Sequence, residues 1–275
     1  MLAEEKIRRI IKLALEEDIG SGDITTETVI PADMPAKAEI VARQDCVVCG
    51  IEVAELVFKM LDGCIEFKKL VKDCDAVKAN HVLAEVSGNA RSLLSAERTA
   101  LNFLQRLSGI ATTTRKFLEK TRDYDVKLLD TRKTTPGLRL LEKYAVRCGG
   151  GENHRMGLYD AFLIKDNHIK LVGLENAVRM AKKLGKKVEV EVSSLNDVNR
   201  AIVAGADVIM LDNMPFDGIK KAVKIIGKRS VIEVSGGVDE NNISKIANLG
   251  VDWISVGRLT HSVPSVEISM DIARE

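Results

Sequence analysis

The spacing of hydrophobic and polar residues changes once along the chain, near residue 110. Before that point, apolar residues at helical spacing predict a helix over 2–17 and a long helix that begins at Ala90. Short apolar runs lie between these helices and predict strands near 37–43, 46–49, 64–71 and 82–87. We therefore expect residues 1 to about 110 to form an α+β region with a mostly antiparallel sheet.

After residue 110, short apolar runs alternate with segments of helical length. Six runs predict strands, which begin near Val126, Asp160, Val188, Asp207, Val231 and Asp252. Apolar stripes predict helices at 137–147, 171–184, 195–204, 217–226 and 240–249. A seventh strand is an open alternative in the glycine-rich segment 149–156, where periodicity does not decide. Repeated alternation of strand and helix is typical of a parallel α/β sheet covered by helices.

The overall charge excludes some classes of partner. The 275 residues include 41 Lys and Arg against 40 Asp and Glu, a formal net charge of +1. This balance argues against general binding of nucleic acid or of a membrane surface. Residues 131–170 differ from the rest, with eight Lys or Arg against four Asp or Glu. Such a local surplus suits a small anionic ligand, although Lys143 and Arg147 are expected on a solvated helix face.

The first residues of the chain carry acidic side chains and an amphipathic period, which predicts a helix and not a signal peptide. No apolar run approaches the roughly 20 residues that a membrane span needs. We therefore expect a cytoplasmic protein without a membrane partner.

The five cysteines are an odd number, which argues against a disulfide framework. Cys46 and Cys49 form a C-x-x-C pair, a spacing found in zinc and redox sites. Nine residues separate Cys64 from Cys74, so a matching second pair is missing, and the apolar residues within the first pair indicate a short strand. Small buried side chains are therefore the favoured interpretation.

Polar residues and glycines stand at the predicted carboxyl ends of the strands. In chain order they are Asp130, Arg132, Lys133, Lys165, Asp166, Glu191, Asp212, Ser235, Gly236, Gly237 and Gly257. A barrel would gather them at one rim, where (β/α) barrels carry their catalytic groups. The last two loops, SGGVDENN and VGRLTHS, contain glycines that let the backbone approach an anion. The pattern therefore favours a phosphate-binding barrel.

The strand VEVEV places two carboxylates on one face. Alternation directs its valines toward the outer helices and Glu189 with Glu191 toward the barrel interior, where an unpaired charge is costly. Lys165 is one candidate partner, and a hydrated divalent ion held by Glu191 and Asp212 is another, because Mg²⁺ prefers oxygen ligands. For Glu189 we favour a structural ion pair, and for Glu191 and Asp212 a functional role.

Long motifs across the chain resemble one enzyme family. They are DTRKTTPGLRLLEKYAVRCGGGENHRMGLYDAFLIKDNH over 130–168, with SAERTALNFLQRLSGIAT before it and EVEV, LDN, SGG and SVGRLTHS after it. Together they resemble quinolinate phosphoribosyltransferases, of the type II phosphoribosyltransferase class, over nearly the whole chain. The resemblance implies an N-terminal α/β sandwich over 1–110, joined by the C-terminal segment 262–275. It also implies an incomplete (β/α) barrel of about seven parallel strands over 111–261.

The same resemblance implies a reaction and a partner subunit. Quinolinate would react with phosphoribosyl pyrophosphate, with Mg²⁺ and no organic cofactor, to give nicotinate mononucleotide, pyrophosphate and CO₂. This is a step of NAD biosynthesis. The family forms obligate homodimers with shared active sites, which leaves a trimer of dimers open, and Arg98 of SAER would reach into the partner's site.

Roles for the remaining site residues also follow from the resemblance. The two carboxylates of quinolinate would be received by Arg132, His154, Arg155 and Lys165. Lys133 would lie toward the phosphoribosyl pyrophosphate, and Glu191 with Asp212 would hold ribose hydroxyls or the metal. The 5′-phosphate would be bound by Ser235, Gly236 and Gly257. Of these, the residues expected to act in catalysis are Lys133, Lys165, Glu191 and Asp212.

Two alternatives remain at this stage. Proteins associated with molybdenum transport share this fold and much of the site, but the complete set of expected carboxylate-binding residues argues for quinolinate. A non-catalytic nucleotide- or phosphate-binding barrel would bind without turnover, which Glu191 and Asp212 disfavour. The sequence lacks a consecutive acidic pair within an apolar strand, which is typical of type I phosphoribosyltransferases, so the resemblance alone implies phosphoribosyl pyrophosphate.

Overall fold

The computed structural model describes residues 4–273, which divide into two compact units. The first unit runs through Arg115 and also contains Thr135–Gly150 and the segment from Ser262 onward. The second unit comprises Lys116–Thr134 and Gly151–His261. Positions 2 and 3 of the predicted first helix and positions 274–275 of the C-terminal segment lie outside the described residues. Within 4–273, no helix combines the length and the apolar character needed to span a bilayer.

The elements follow one another with short connections. The helices are α1 (Glu4–Ile19), α2 (Ile24–Val29), α3 (Ile51–Leu61), α4 (Ala90–Glu119), α5 (Arg139–Cys148), α6 (Asp166–Val172), α7 (Leu174–Lys182), α8 (Leu195–Val203), α9 (Phe216–Ile226), α10 (Ile243–Ala247) and α11 (Arg258–His261). The strands are β1 (Pro35–Ala42), β2 (Cys46–Val47), β3 (Glu66–Lys69), β4 (Ala76–Val77), β5 (His81–Asn89), β6 (Lys127–Leu129), β7 (Phe162–Ile164), β8 (Val188–Val192), β9 (Val208–Asp212), β10 (Val231–Ser235), β11 (Trp253–Ser255) and β12 (Ile268–Ile272).

The first unit is organised by a four-stranded antiparallel sheet in the order β12, β1, β5, β3. In the register of β1, Ala42 stands opposite His81 on one side and Ile268 on the other. Ala38 and Ile40 of the same strand are buried, so one face of the sheet lies against the core. β2 and β4 form a separate two-stranded sheet. The predicted antiparallel sheet is confirmed.

Helix α5 belongs to the first unit, although the boundaries expected from the sequence placed 137–147 in the barrel. The fully buried carboxylate of Glu142 explains this, because it accepts a hydrogen bond from Arg106 of α4 at 2.9 Å. The neighbouring Lys143 is also fully buried. Its expected place on a solvated face is therefore wrong, because α5 is covered on more than its apolar side.

The second unit contains a six-stranded parallel sheet in the order β6, β11, β10, β9, β8, β7. All six strands predicted after residue 110 are present, and the valines of β8 are buried as their alternation predicts. In place of a seventh strand in 149–156, Glu152 forms a single parallel bridge with Leu129 of β6. The strand order and the outer helices are those of an incomplete (β/α) barrel.

Several elements were not predicted. Helix α3 was missed because its apolar residues, including Ile51, Val53 and Val57, are dense enough to hide the helical period. The helix predicted over 171–184 is interrupted at Gly173, where a φ of 77° ends α6 before α7 begins. The expected division near residue 110 falls inside α4, which continues without a break to Glu119.

Candidate active site

The second unit carries a cavity of about 580 Å³ at the carboxyl ends of its parallel strands. Its wall includes most of the residues selected from the sequence, namely Arg132, Lys133, His154, Arg155, Lys165, Glu191, Asp212, Ser235, Gly236, Gly237 and Gly257. Neighbouring parallel strands end at the same edge of a sheet, and here Ser235 of β10 stands beside Asp212 of β9 and Ser255 of β11. The strand-end residues therefore meet in one place, as their positions in the sequence predict.

Arg132 and Lys133 lie in the loop that follows β6. The backbone carbonyl of Lys133 accepts a hydrogen bond from the hydroxyl of Thr260 at 2.8 Å, and its N–H donates to Thr131 at 3.1 Å. These bonds fix the backbone of the loop, while the exposed side chain of Lys133 stands at the cavity. Two consecutive cations therefore line the cavity on a backbone that is held at both sides.

A buried carboxylate holds the second cationic segment. Asp130, directly after β6, is fully buried and accepts hydrogen bonds from the side chain of Asn153 at 2.5 Å and from the backbone N–H of His154 at 2.9 Å. The adjacent Arg155 is half-buried, and one terminal nitrogen donates to the carbonyl of Ala161 at 3.2 Å. The side chain of Asp130 therefore positions His154 and Arg155 at the cavity wall.

The charge of Arg155 is only partly compensated. Its Nε is buried and makes no hydrogen bond in the described part of the chain. Burial lowers the pKa of Arg155, and the nearby charge of Arg132 lowers it further. Two guanidinium groups close enough to repel each other are stabilised by a shared anion, and a carboxylate matches the geometry of each.

The cavity also has an acidic side, which is formed by Glu191 and Asp212. Glu191 of β8 is in direct contact with the ammonium group of Lys165, which follows β7. Asp212 ends β9 and accepts a hydrogen bond from the side chain of Asn213 at 2.8 Å. Asn213 has a φ of 52°, a left-handed conformation that asparagine tolerates better than most residues. Both carboxylates therefore face the cavity, and each contacts a protein side chain.

Two glycines permit close approach at the other side of the cavity. Gly236 has a φ of 86°, and a Cβ at this position would lie 2.3 Å from the side-chain oxygen of Asn213. A Cβ at Gly257 would lie 3.0 Å from Cδ of Lys133 and 3.1 Å from the ring of His261. No larger residue fits at Gly236 without moving Asn213. The loop after β10 therefore packs against the segment of Asp212 and Asn213, and the loop after β11 packs against Lys133.

A buried cluster of His154, Glu189 and Glu233 lies at the base of the site. Nε2 of His154 lies 3.1 Å from Glu189 and 3.6 Å from Glu233, and the three side chains are at most 9% exposed. Burial lowers the pKa of His154, but the hydrogen bonds and charges of the two carboxylates outweigh it and raise the pKa to about 10. Nδ1 of the ring accepts the N–H of Arg155 at 2.8 Å, which favours the uncharged ring. The two buried carboxylates stabilise the charged ring more strongly than this backbone contact stabilises the uncharged ring. The pKa of His154 is therefore raised.

Comparison with known proteins identifies the family. The model of the quinolinate phosphoribosyl transferase N-terminal domain matches residues 23–108, and that of the C-terminal domain matches residues 110–271. The chain belongs to the quinolinate phosphoribosyltransferase family. The predicted resemblance is thereby confirmed.

Relatives of this family are similar along the full length of the chain. The probable nicotinate-nucleotide pyrophosphorylase (carboxylating) of Methanocaldococcus jannaschii is 46% identical, with 97% of each chain covered. Its counterpart in Bacillus subtilis is 43% identical, with 97% of this chain and 93% of that one covered. The solved structure of the nicotinate-nucleotide pyrophosphorylase from Francisella tularensis has a TM-score of 0.95 at 46% identity, covering 99% of this chain and 98% of that one.

Not every expected site residue of this family member lies at the cavity. Arg98 is on α4 in the first unit, with a side chain that is 57% exposed and lies 3.9 Å from Glu97. Its expected contact with a partner subunit stays a prediction. His154 lines the cavity, and both of its ring nitrogens contact protein groups, so its expected contact with a carboxylate of quinolinate stays a prediction.

Sequence reasoning missed Asp130 as a positioning group and Glu233 altogether. The signal for Glu233 was available, because strand alternation places it on the same face of β10 as Ser235. The expected structural ion pair of Glu189 exists, but its partner is His154, whereas the lysine expected there contacts Glu191.

Proposed function

We propose that this protein transfers the phosphoribosyl group of phosphoribosyl pyrophosphate to quinolinate with loss of CO₂, giving nicotinate mononucleotide and pyrophosphate. Membership of the family and the names of its full-length relatives support this reaction. The observation that carries it is the group of three cations, Arg132, Arg155 and Lys165, at one cavity wall. Such a wall suits a small ligand with two carboxylates.

Quinolinate binds at this cationic wall. Arg155 offers its buried Nε and the fork geometry that matches a carboxylate, and Arg132 lies close enough to share the second carboxylate. Lys165 adds a third positive charge from the end of β7. Binding a dicarboxylate therefore relieves repulsion between cations that the empty cavity contains.

Phosphoribosyl pyrophosphate binds between Lys133 and the two glycine-containing loops. Ser235 and Gly236 after β10, with Gly257 after β11, hold the 5′-phosphate, because glycine exposes backbone N–H groups at short range. Lys133, whose side chain packs beside Gly257, contacts the pyrophosphate. Phosphate binding by the last two loops is a recurrent property of (β/α) barrels.

The reaction needs charge stabilisation more than covalent participation. Departure of pyrophosphate leaves positive charge on the ribose ring, and Glu191 with Asp212 stabilise that charge. The pyridine nitrogen then forms the bond to the anomeric carbon and becomes positive. The positive nitrogen stabilises the carbanion left on the adjacent ring carbon when its carboxylate leaves as CO₂, and a proton from water then forms the C–H bond of nicotinate mononucleotide, so no organic cofactor is required.

Mg²⁺ fits the acidic side of the site. Glu191 and Asp212 offer carboxylate oxygens at a cavity open enough for water and phosphate oxygens to complete the shell, as Mg²⁺ requires. When bound, the ion supplies positive charge that stabilises the pyrophosphate leaving group. The contact with Lys165 holds the carboxylate of Glu191 in position before the substrate binds.

Each active site is completed by a second copy of the chain. Arg98 lies on α4 with a side chain that is 57% exposed and 3.9 Å from Glu97. We assign it to the active site of the partner in a homodimer, where it adds a further cation.

The direct test is release of labelled CO₂ from quinolinate labelled in the carboxyl group next to the ring nitrogen. Release should require both phosphoribosyl pyrophosphate and Mg²⁺ and should match the amount of nicotinate mononucleotide formed. Arg155→Ala should abolish it, whereas Arg200→Ala, which removes an exposed ion pair with Glu175, should not. Binding of both substrates without CO₂ release would instead support a non-catalytic barrel.

A further inference from the structure

Three cysteines from distant parts of the sequence meet in the first unit. Cys49 lies two residues before α3, Cys74 lies between β3 and β4, and Cys148 is the last residue of α5. Interactions with the thiols of Cys49 and Cys74 lower the pKa of Cys148 to about 7, against the opposing effect of burial. The C-x-x-C spacing of the sequence is therefore not the relevant feature, since Cys46 lies on β2 and Cys49 joins a different group.

A carboxylate completes the group. An oxygen of Asp73 lies within 4.8 Å of the sulfur atoms of Cys49 and Cys148, and these two sulfurs are within the same distance of each other. The carboxylate is held in place, because Oδ1 accepts the N–H groups of Gly50 and Ile51 at 2.7 and 2.9 Å and Oδ2 accepts the Tyr144 hydroxyl at 2.9 Å. Three potential metal ligands, Cys49, Asp73 and Cys148, thus converge from three separate segments, and Cys74 follows Asp73 directly in the chain as a candidate fourth ligand.

The ligand set specifies a class of ion. Thiolates select soft or borderline cations, and a set of sulfurs with one oxygen suits tetrahedral Zn²⁺ better than Mg²⁺ or Ca²⁺. Around zinc, neighbouring ligand atoms lie roughly 3.5 to 3.8 Å apart, as bond lengths of about 2.0 to 2.3 Å require. The ligand atoms of Cys49, Asp73 and Cys148 lie within 4.8 Å of one another and reach that geometry by movements of about 1 Å.

Cations can reach the group from solvent. Cys74 is exposed, and the half-buried Asp73 lines a cavity of about 580 Å³ in the same unit. Four carboxylates line that cavity against two basic residues; they are Glu4, Glu52, Glu55 and Asp73, with Lys59 and Arg147. The excess negative charge favours entry of a divalent cation.

We propose that Cys49, Cys74, Cys148 and Asp73 form a structural site for a zinc-class divalent cation. The bound ion joins the start of α3, the turn after β3 and the end of α5. Because the ligands are scattered in sequence, the site exists only in the folded chain, and binding stabilises that state. This site is separate from the proposed reaction, and none of its ligands has a role in the phosphoribosyl transfer.

Cobalt provides the spectroscopic test. The reduced full-length protein, titrated with Co²⁺ under anaerobic conditions, should develop thiolate-to-cobalt absorption in the near ultraviolet and intense visible bands of tetrahedral cobalt, both lost on addition of Zn²⁺. Cys49→Ser and Cys148→Ser should lose these bands, and Cys74→Ser should weaken them. The matched controls are Cys46→Ser, which is as buried as Cys148, and Cys64→Ser, which is as exposed as Cys74; both should bind cobalt normally.

A second measurement avoids any variant that fails to fold. In the wild-type protein, Zn²⁺ should slow alkylation of Cys74 by iodoacetamide at least tenfold and leave the alkylation rate of exposed Cys64 unchanged, as peptide mass spectrometry can record. Equal rates at Cys74 with and without Zn²⁺ would overturn the proposal. So would cobalt bands that are missing from the wild type or that persist in both Cys49→Ser and Cys148→Ser.

Discussion

The ammonium group of Lys165 and the carboxylate of Glu191 touch across two neighbouring parallel strands. Ile164 of β7 stands in register with Val190 of β8, so the next residue of each strand meets at the rim of the cavity. The two groups have opposite tasks in the proposed reaction, since one receives an anion and the other stabilises a developing cation. Their contact holds both in position while neither substrate is bound.

Glu191→Gln should separate catalysis from stability. The amide keeps the shape of the side chain and can still accept a hydrogen bond from Lys165, but it no longer offers negative charge to the ribose. We expect kcat to fall by about 10²-fold to 10³-fold with a melting temperature close to that of the wild type. Glu175→Gln, which alters an exposed ion pair with Arg200, serves as the control. Normal turnover combined with a large loss of thermal stability would show that Glu191 is structural.

Quinolinate should be preferred over nicotinate by a wide margin. Nicotinate lacks one carboxylate and therefore loses one of the ion pairs that quinolinate forms with the cationic wall. This costs roughly 2 to 5 kcal/mol, equivalent to about 30-fold to 5,000-fold in kcat/KM for mononucleotide formation. Comparable kcat/KM values for the two acids would contradict the proposed binding of two carboxylates at the cationic wall.

Arg98 should act in the active site of the partner subunit. When Arg98→Ala and Glu191→Ala proteins are denatured together and refolded in equal amounts, half of the dimers are mixed. Each mixed dimer has one site with both lesions and one with neither, so about a quarter of wild-type activity should return. If activity stays at the level of the separate variants, Arg98 serves its own chain or no site at all.

His154 should stabilise the fold in a pH-dependent way. Its pKa is raised to about 10 in the folded protein by Glu189 and Glu233, from about 6.5 in an unfolded chain. A raised pKa contributes stability that is complete below about pH 6.5 and is lost as the pH rises through about 10. The difference in unfolding free energy between wild type and His154→Gln should therefore shrink over this window, by at most about 1.4 kcal/mol per pH unit.

Urea unfolding at several pH values measures this difference. His81→Gln, at an exposed position on β5, reports what the loss of an imidazole does elsewhere. A difference for His154→Gln that is constant between pH 6.5 and 10 would contradict the assigned charge of the buried cluster.

Gly236→Ala should be more harmful than Gly237→Ala. Both glycines have positive φ values, 86° and 65°, so alanine strains the backbone at either position. Only at Gly236 does the new Cβ collide with Asn213, at 2.3 Å, whereas the space at Gly237 is open. Because Asn213 holds Asp212, we expect kcat to fall about tenfold further in Gly236→Ala than in Gly237→Ala. Equal kcat values for the two variants would show that the position of Asn213 does not affect the reaction.

The arrangement of the cavity was largely predictable from sequence, for a physical reason. Strand periodicity locates the carboxyl end of each parallel strand, and these ends share one edge of the sheet, so Lys165, Glu191, Asp212 and Ser235 had to converge. Contacts made through side chains of separate segments have no such local signal. The meeting of Cys49 with Cys148 depends on where α5 packs, and that helix was expected in the other unit.

The gap in the barrel has a consequence for how this enzyme family can change. A seventh strand would have held this wall through a ladder of backbone hydrogen bonds. Here Glu152 supplies one backbone bridge, and the side chain of Asp130 accepts two further hydrogen bonds. A ladder resists change because every residue in it contributes, whereas this wall depends on one backbone bridge and on the side chain of Asp130. Substrate preference can therefore be remodelled in the segment that carries His154 and Arg155 while the parallel strands that carry Glu191 and Asp212 stay as they are.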